Sequence, residues 1–308
     1  MSTPILIDTD MGVDDAVAIA LALGSPELRV VALASVGGNV PLEQATINIP
    51  RLLTALGVRE WPKIGRGLDQ PAELPGAEHV HGDDGLGGVD WPAPAKFTTG
   101  GYVPLYEEMI AAHGSALSIV AIGPLTNLAA ILRERPGLLN KAGRIVVMGG
   151  AIWCKGNITP HAEFNFYRDP AAAAAVLESG LPVTVVSLDV TNQVVMDESH
   201  VARMAQSMSR CGEQLARIVR FPMGQPTDEG TGRFLVHDAL TIGTLLWPEL
   251  FLRSKMALQV ATSGSQMGKS KPMIAKDKAR QVSVVISVNA GDLMENLLEI
   301  LCQQKFVV

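Results

Sequence analysis

Four carboxylates, Asp8, Asp10, Asp14 and Asp15, fall within eight residues near the start of the chain. Packed so closely they repel one another unless a cation or shared protons neutralise them. Hard cations such as Ca²⁺ and Mg²⁺ take oxygen ligands of this kind. The full stretch is Ile5-Leu6-Ile7-Asp8-Thr9-Asp10-Met11-Gly12-Val13-Asp14-Asp15-Ala16, followed by an Ala/Ile/Leu segment with no charge until Glu27. Helix capping explains one aspartate here; it does not explain four.

The elements around the cluster follow from the apolar run ahead of it. Residues 4–7, short and rich in Ile, predict a buried strand of a parallel sheet. Side chains repeat every two residues along a strand, so Asp8 and Asp10 are expected on the same side. Gly12 permits a tight turn, and Asp14 and Asp15 open a helix where negative charge meets the positive end of the helix dipole. Ligands of open α/β sheets bind at such junctions.

Further along, residues 28–34, 117–122, 145–148 and 183–188 read as strands, and 42–56 and 102–112 as helices. Asp169 before Pro170 and five alanines is expected to cap another helix. Strands alternating with helices predict a mostly parallel, Rossmann-like α/β sheet with flanking helices. Beyond 190 the pattern turns mainly helical, with 197–208 and 211–221 as candidates. A strand pair at 256–262 and 281–288 and a closing helix at 292–302 complete it. Nothing marks a domain boundary, so a single domain over 1–308 is expected.

Three loops carry polar groups. Ser35-Val36-Gly37-Gly38-Asn39 lets backbone approach a ligand and offers the Asn39 amide. Residues 61–97 read as a long loop rich in Pro and Gly, holding His79, His81, Asp83 and Asp84; a lid or rim is expected, since two histidines without a third soft ligand do not make a zinc site. Residues 156–165, with Asn157, Glu163 and Asn165, resemble a polyol-binding rim as much as ordinary loop polarity. His237 and Asp238 precede an apolar helix, where Asp238 is either a cap or part of a site. Gly264-Ser265-Gln266-Met267-Gly268-Lys269-Ser270 imitates a phosphate loop one residue short, without a convincing strand before or helix after.

Composition narrows the function classes. Of 308 residues, 47% are hydrophobic and 18% charged, enough for a large core, and a net charge of −6 argues against a nucleic-acid surface. Cys154, Cys211 and Cys302 are too scattered for a disulfide framework or zinc site. No signal peptide or apolar run of spanning length is evident, so a cytoplasmic protein with no membrane partner is expected.

Taken together, Asp8-Thr9-Asp10-Met11-Gly12-Val13-Asp14-Asp15-Ala16, Gly37-Gly38-Asn39, Gly123-Pro124-Leu125-Thr126-Asn127, Met148-Gly149-Gly150, Gly156-Asn157, Glu163-Phe164-Asn165 and His237-Asp238 resemble the inosine–uridine preferring nucleoside hydrolase family. The resemblance implies Ca²⁺-dependent cleavage of the N-glycosidic bond of ribonucleosides. It implies Ca²⁺ held by Asp10, Asp15, the Thr126 carbonyl and Asp238, with the ion also taking the ribose 2′- and 3′-hydroxyls and a water for which Asp10 is the base. Asp14, Asn39, Asn157, Glu163 and Asn165 would bind ribose, with Met148 beneath it. His237 is the expected general acid and His81 a second candidate at the rim. A nucleoside is the implied partner, and a homodimer or homotetramer the suggested assembly.

The chain departs from the family pattern in three places. Met11 and Ala239 stand where the family usually has Pro, which is expected to alter backbone more than chemistry. All three tyrosines precede residue 168, so the later segment lacks the tyrosines that often face the nucleobase; Phe221, Phe234 or Trp153 could substitute, and base preference is open. Two other readings compete: a Mg²⁺-dependent phosphohydrolase of the haloacid dehalogenase type, which also starts on Asp-x-Asp, and a non-catalytic nucleoside or ribose binder.

Overall fold

Alternate residues of the first strand, β1 (Thr3–Thr9), serve two cores. Ile5 and Ile7 pack on one face of the sheet and Leu6 on the other. Such two-sided burial is what a continuous apolar run demands of a central parallel strand. The computed structural model describes residues 2–70, 74, 76–92, 94, 96–225, 231–274 and 280–303. Parts of the 61–97 loop, residues 226–230 of the stretch after the 211–221 helix, and 275–279 between the paired strands lie outside the described residues.

In chain order β1 is followed by α1 (Val13–Gly24), β2 (Leu28–Ser35), α2 (Leu42–Leu56), β3 (Lys63–Arg66), α3 (Glu78–His81), β4 (Gly100–Gly101), α4 (Tyr102–His113), β5 (Ser118–Ala121), α5 (Thr126–Glu134) and β6 (Arg144–Met148). Then come α6 (Phe164–Arg168), α7 (Pro170–Leu177), β7 (Val183–Val186), α8 (Leu188–Thr191), β8 (Val195–Asp197), α9 (Glu198–Gln206) and α10 (Arg210–Met223). β9 (Arg233–Leu235), α11 (Ala239–Leu246), β10 (Phe251–Val260), β11 (Ser270–Met273), β12 (Val282–Val288) and α12 (Ala290–Gln303) close the chain. Among the described residues no helix is long and apolar enough to cross a membrane.

Among the described residues ten strands form one sheet in the order β11-β10-β12-β7-β6-β5-β1-β2-β3-β4, and β8 pairs with β9 apart from it. The pairs from β12 through β7 and β1 to β4 are parallel; only β10 runs antiparallel, to β12 and β11. The fold is therefore the expected mostly parallel α/β sheet. The mainly helical C-terminal part packs α10, α11 and α12 onto α1, and the expected strand pair extends the same sheet. Helices α4, α5 and α7 cover the other face.

The topology locates the site. From β1 the chain builds outward through β2, β3 and β4, then crosses back to β5 on the other side of β1 and builds outward again. The switch point lies between β1 and β5, where crevices of open α/β sheets form. There the Ile122 N–H donates to the Asp8 carbonyl (2.8 Å) just past the end of β5.

Local expectations differ from the structure where side-chain patterning is weak. The 61–97 segment is not one loop: it contains β3, whose Lys-Ile-Gly-Arg sequence lacks an apolar alternation, and the single-turn α3. Pro124 lies two residues ahead of α5, which begins at Thr126. The stretch 183–188 stops as a strand at Val186, and Leu188 already begins α8. The phosphate-loop look-alike is a short 3₁₀ turn leading into the antiparallel β11, which offers no helix N-terminus to an anion.

Candidate active site

β1 ends at Thr9, so Asp10 has left the strand before alternation can orient it. The expectation that Asp8 and Asp10 act from one side is therefore corrected. Asp8 turns beneath the sheet end, where its Oδ2 accepts from the Tyr106 hydroxyl (2.7 Å) and Asn127 Nδ2 (2.9 Å). Burial pushes its carboxyl up to about 7 against these bonds. Asp10 Oδ2 accepts from the Asn39 N–H (2.8 Å), and its Oδ1 is buried with no hydrogen-bond partner. This approach depends on Gly38, because a Cβ there would stand 2.1 Å from Asp10 Oδ2.

At the start of α1, Asp15 accepts from Thr9 Oγ1 (2.5 Å), the Gly12 N–H (2.8 Å) and Asn39 Nδ2 (3.1 Å). Its neighbour Asp14 leaves Oδ1 buried and unpartnered. Asp238 flanks α11, yet its side chain makes no cap bond. Instead Asp14, Asp15 and Asp238 each direct a carboxylate oxygen to within 4.8 Å of the others. Burial of this cluster, then mutual repulsion, raises the Asp10, Asp14 and Asp238 carboxyls, Asp14 to about 8; burial likewise raises Asp15. Buried carboxylate oxygens without donors, crowded by like charges, fit a hard cation.

Proton linkage gives this cluster a testable signature. A carboxyl whose pKa is raised on folding holds its proton in the folded chain after the unfolded chain has lost it. Stability of the cation-free protein therefore falls as pH rises from about 4 through the raised values. A bound cation must displace those protons, so its stabilisation grows with pH. In thermal melts, the midpoint in chelator is expected to be lower at pH 8 than at pH 5.5, and millimolar Ca²⁺ to raise it more at pH 8. Equal Ca²⁺ shifts at both values would contradict this.

The Thr126 assignment does not fit the backbone. Thr126 is the first residue of α5, so its carbonyl belongs to the intrahelical ladder and points along the helix, away from its N-terminal end. Its hydroxyl accepts from Gln70 Nε2 (2.8 Å) and donates to Asp169 Oδ2 (2.8 Å). The residue at the pocket is Ile122, at the end of β5, whose carbonyl accepts from Asn165 Nδ2 (3.0 Å). Ile122 was missed because its side chain reads only as strand; the signal was its place just before Gly123-Pro124.

Above the cluster lies a cavity of about 740 Å³, within the range of small-molecule sites. Nine expected residues line it: Asp14, Asn39, His81, Met148, Asn157, Glu163, Asn165, His237 and Asp238. Asp10 and Asp15 lie outside this lining, fully buried. Glu163 caps α6, accepting from Asn165 N (2.7 Å), Phe166 N (3.1 Å) and Gly150 N (2.8 Å), and burial raises it to about 6. Asn157 Oδ1 accepts from Phe164 N (2.9 Å), which leaves its amide group oriented as a donor. The outer wall adds Phe234, Gln225, Arg233, Val80 and Ile158. Of the suggested aromatic substitutes only Phe234 lines the cavity; Trp153 is 58% exposed and Phe221 packs near Gly87.

Both histidines are held neutral. His81 Nδ1 accepts from the Val13 N–H (3.1 Å), which leaves the ring proton on Nε2; burial pushes its pKa down to about 3. His237 Nδ1 pairs with Thr191 Oγ1 (2.8 Å), and burial lowers it to about 4. The expectation of a histidine titrating near neutral pH is thus revised toward an imidazole that donates an N–H.

Met11 differs from its expected role as a mere change in stiffness. It is fully buried with φ 54°, and its N–H donates to Thr9 Oγ1 (3.1 Å). Proline is fixed near −65° and has no N–H. Met11→Pro is therefore expected to destabilise the protein by more than about 1 kcal/mol, although proline is the residue the family usually carries. Chemical denaturation measures it, and an unchanged midpoint would show that the turn takes another conformation.

Carboxylates beneath an amide-walled cavity at the switch point of a parallel sheet are the arrangement in which α/β folds bind small molecules. The chain belongs to the inosine-uridine preferring nucleoside hydrolase family, whose profile matches residues 5–295. It is a ribonucleoside hydrolase, an N-glycosidase. It is 40% identical over 270 residues, 86% of each chain, to the pyrimidine-specific ribonucleoside hydrolase RihA of Salmonella enteritidis PT4. Among solved structures it is similar to a plant nucleoside hydrolase (TM-score 0.92, 30% identity, 99% of this chain and 100% of that one). A purine-preferring ribonucleoside hydrolase from Gardnerella vaginalis is also similar (TM-score 0.89, 29% identity, 97% and 98%).

Proposed function

We propose that the chain hydrolyses ribonucleosides to free base and ribose with Ca²⁺ held by Asp10, Asp15, Asp238 and, in place of Thr126, the Ile122 carbonyl. The observation that supports this reading is Asp10 Oδ1, buried without a hydrogen bond beside the clustered Asp14, Asp15 and Asp238 carboxylates beneath the cavity. Bound there, Ca²⁺ would supply positive charge for the vicinal ribose hydroxyls and lower the pKa of a coordinated water. Asp10 takes a proton from the attacking water as the C1′–N bond breaks. Asp14 and Glu163, with the Asn39, Asn157 and Asn165 amides, hold the ribose and stabilise its oxocarbenium-like charge. Met148 packs beneath the sugar. The neutral His237 N–H hydrogen-bonds the base, which leaves with the C1′–N electron pair and takes its proton from solvent, and the His81 Nε2–H serves at the rim.

The similarity to RihA makes pyrimidine ribonucleosides the first substrates to test. The test is a reducing-sugar assay on uridine, cytidine and inosine beside a phosphomonoester panel. Ribose release without phosphate release is the expected result. Phosphate release alone would favour the phosphohydrolase, and tight binding without turnover the non-catalytic binder.

A further inference from the structure

Arg168 ends α6 and is only 6% exposed. A guanidinium that deep has exchanged water for protein acceptors. Its Nη1 donates to the Leu74 carbonyl (2.5 Å) and its Nη2 to Gln70 Oε1 (3.4 Å). Gln70, itself buried, donates to Thr126 Oγ1 (2.8 Å), and Thr126 donates to Asp169, the residue after Arg168. A loop of side chains thus starts and ends at the junction of α6 and α7.

Gln70 and Leu74, to which Arg168 donates, lie between β3 and α3 in the chain. At the start of this stretch the Leu68 carbonyl accepts from Gly37 N (2.9 Å) and the Leu68 N–H donates to Asn127 Oδ1 (2.9 Å); at its end the Ala77 N–H donates to the Asn39 carbonyl (3.2 Å). Between these points Arg168, from the end of α6, donates to the Leu74 carbonyl and to Gln70 Oε1, and Gln70 donates to Thr126 Oγ1. α3 brings His79 and His81 to one wall, while Glu163, Phe164 and Asn165 form the wall on the α6 side. The carboxylates of Asp10, Asp69 and Glu78 favour the charged guanidinium against its burial.

We propose that Arg168 is a positioning residue for nucleoside hydrolysis: through Leu74 and Gln70 it fixes the segment that carries α3, and so sets His79 and His81 against Glu163 and Asn165 across the substrate. This rests on the hydrolase reading above. It assigns to α6 a second task, joining the two walls, beyond presenting the ribose-binding groups.

The test compares wild type, Arg168→Met and Arg168→Lys in the presence of Ca²⁺, well below their melting points. Steady-state kinetics on the best nucleoside are read beside hydrogen exchange of the peptide covering 76–82. Arg168→Met is expected to raise KM and lower kcat by about tenfold each, since small misplacements of binding groups cost rate steeply. Exchange in 76–82 is expected to quicken while β5 and α7 keep their protection. Arg168→Lys keeps the charge but not the two-pronged reach, so it is expected to recover most of kcat while KM stays raised. It also serves if the methionine variant does not fold. A role in stability alone would lower the melting point and leave kcat, KM and 76–82 exchange within twofold of wild type in the folded variants, which would overturn the proposal. Failure of wild type to release ribose would instead overturn the hydrolase reading, and unchanged exchange in 76–82 would still overturn the tether.

Discussion

Asp10→Ala is expected to lower ribose release from the best nucleoside by about 10³-fold, the middle of the range for removing a general base. The loss falls on chemistry more than on the fold. Asp10 is wholly buried beside Asp14, Asp15 and Asp238, and burial with that repulsion raises its carboxyl well above its ordinary value. Deleting it relieves this repulsion, while the Asn39 N–H loses its acceptor, a cost of about 1–3 kcal/mol. These effects oppose each other, so the melting point in chelator is expected to stay near wild type or rise at pH 8 as activity collapses. Full ribose release by the variant would remove Asp10 from the mechanism.

Asp238→Ala is expected to weaken Ca²⁺ binding by about 10²-fold, because ligand charge count sets Ca²⁺ affinity in oxygen sites. Asp238 is far from Asp14 and Asp15 in sequence yet shares their cluster, and its side chain performs no capping that would give it another task. Activity measured against free Ca²⁺ should shift to higher concentration by the same factor, and the Ca²⁺-induced rise in melting point at micromolar ion should vanish. Unchanged Ca²⁺ affinity by calorimetry, with activity lost, would assign Asp238 to the substrate alone.

The sequence was most readable where a strong apolar period meets a polar break. The run at Ile5-Leu6-Ile7 and the carboxylates after it place β1, α1 and the floor of the site, and α2 (Leu42–Leu56) has the bounds its periodicity predicts. The cavity wall was readable only through the family motifs, since Asn157, Glu163 and Asn165 by themselves look like any polar loop. What sequence could not show depends on three-dimensional placement. Asp8 turns away to Tyr106 and Asn127 because the strand ends one residue before Asp10. Ile122 lines the cavity and Thr126 does not, because α5 has already begun at Thr126. The neutral state of His237 follows from burial, and the left-handed Met11 from the tightness of the turn into α1. Neither burial nor φ is written in residue order.

On the proposed reading, buried carboxylates at the β1–β5 switch point hold a Ca²⁺ required for ribonucleoside hydrolysis. The most direct measurement is reducing-sugar release from uridine and inosine by exhaustively chelated protein, before and after titration with Ca²⁺. No release is expected from the chelated protein, with recovery that saturates at one Ca²⁺ per chain. Full ribose release with chelator still present, and no change on adding Ca²⁺, would contradict it.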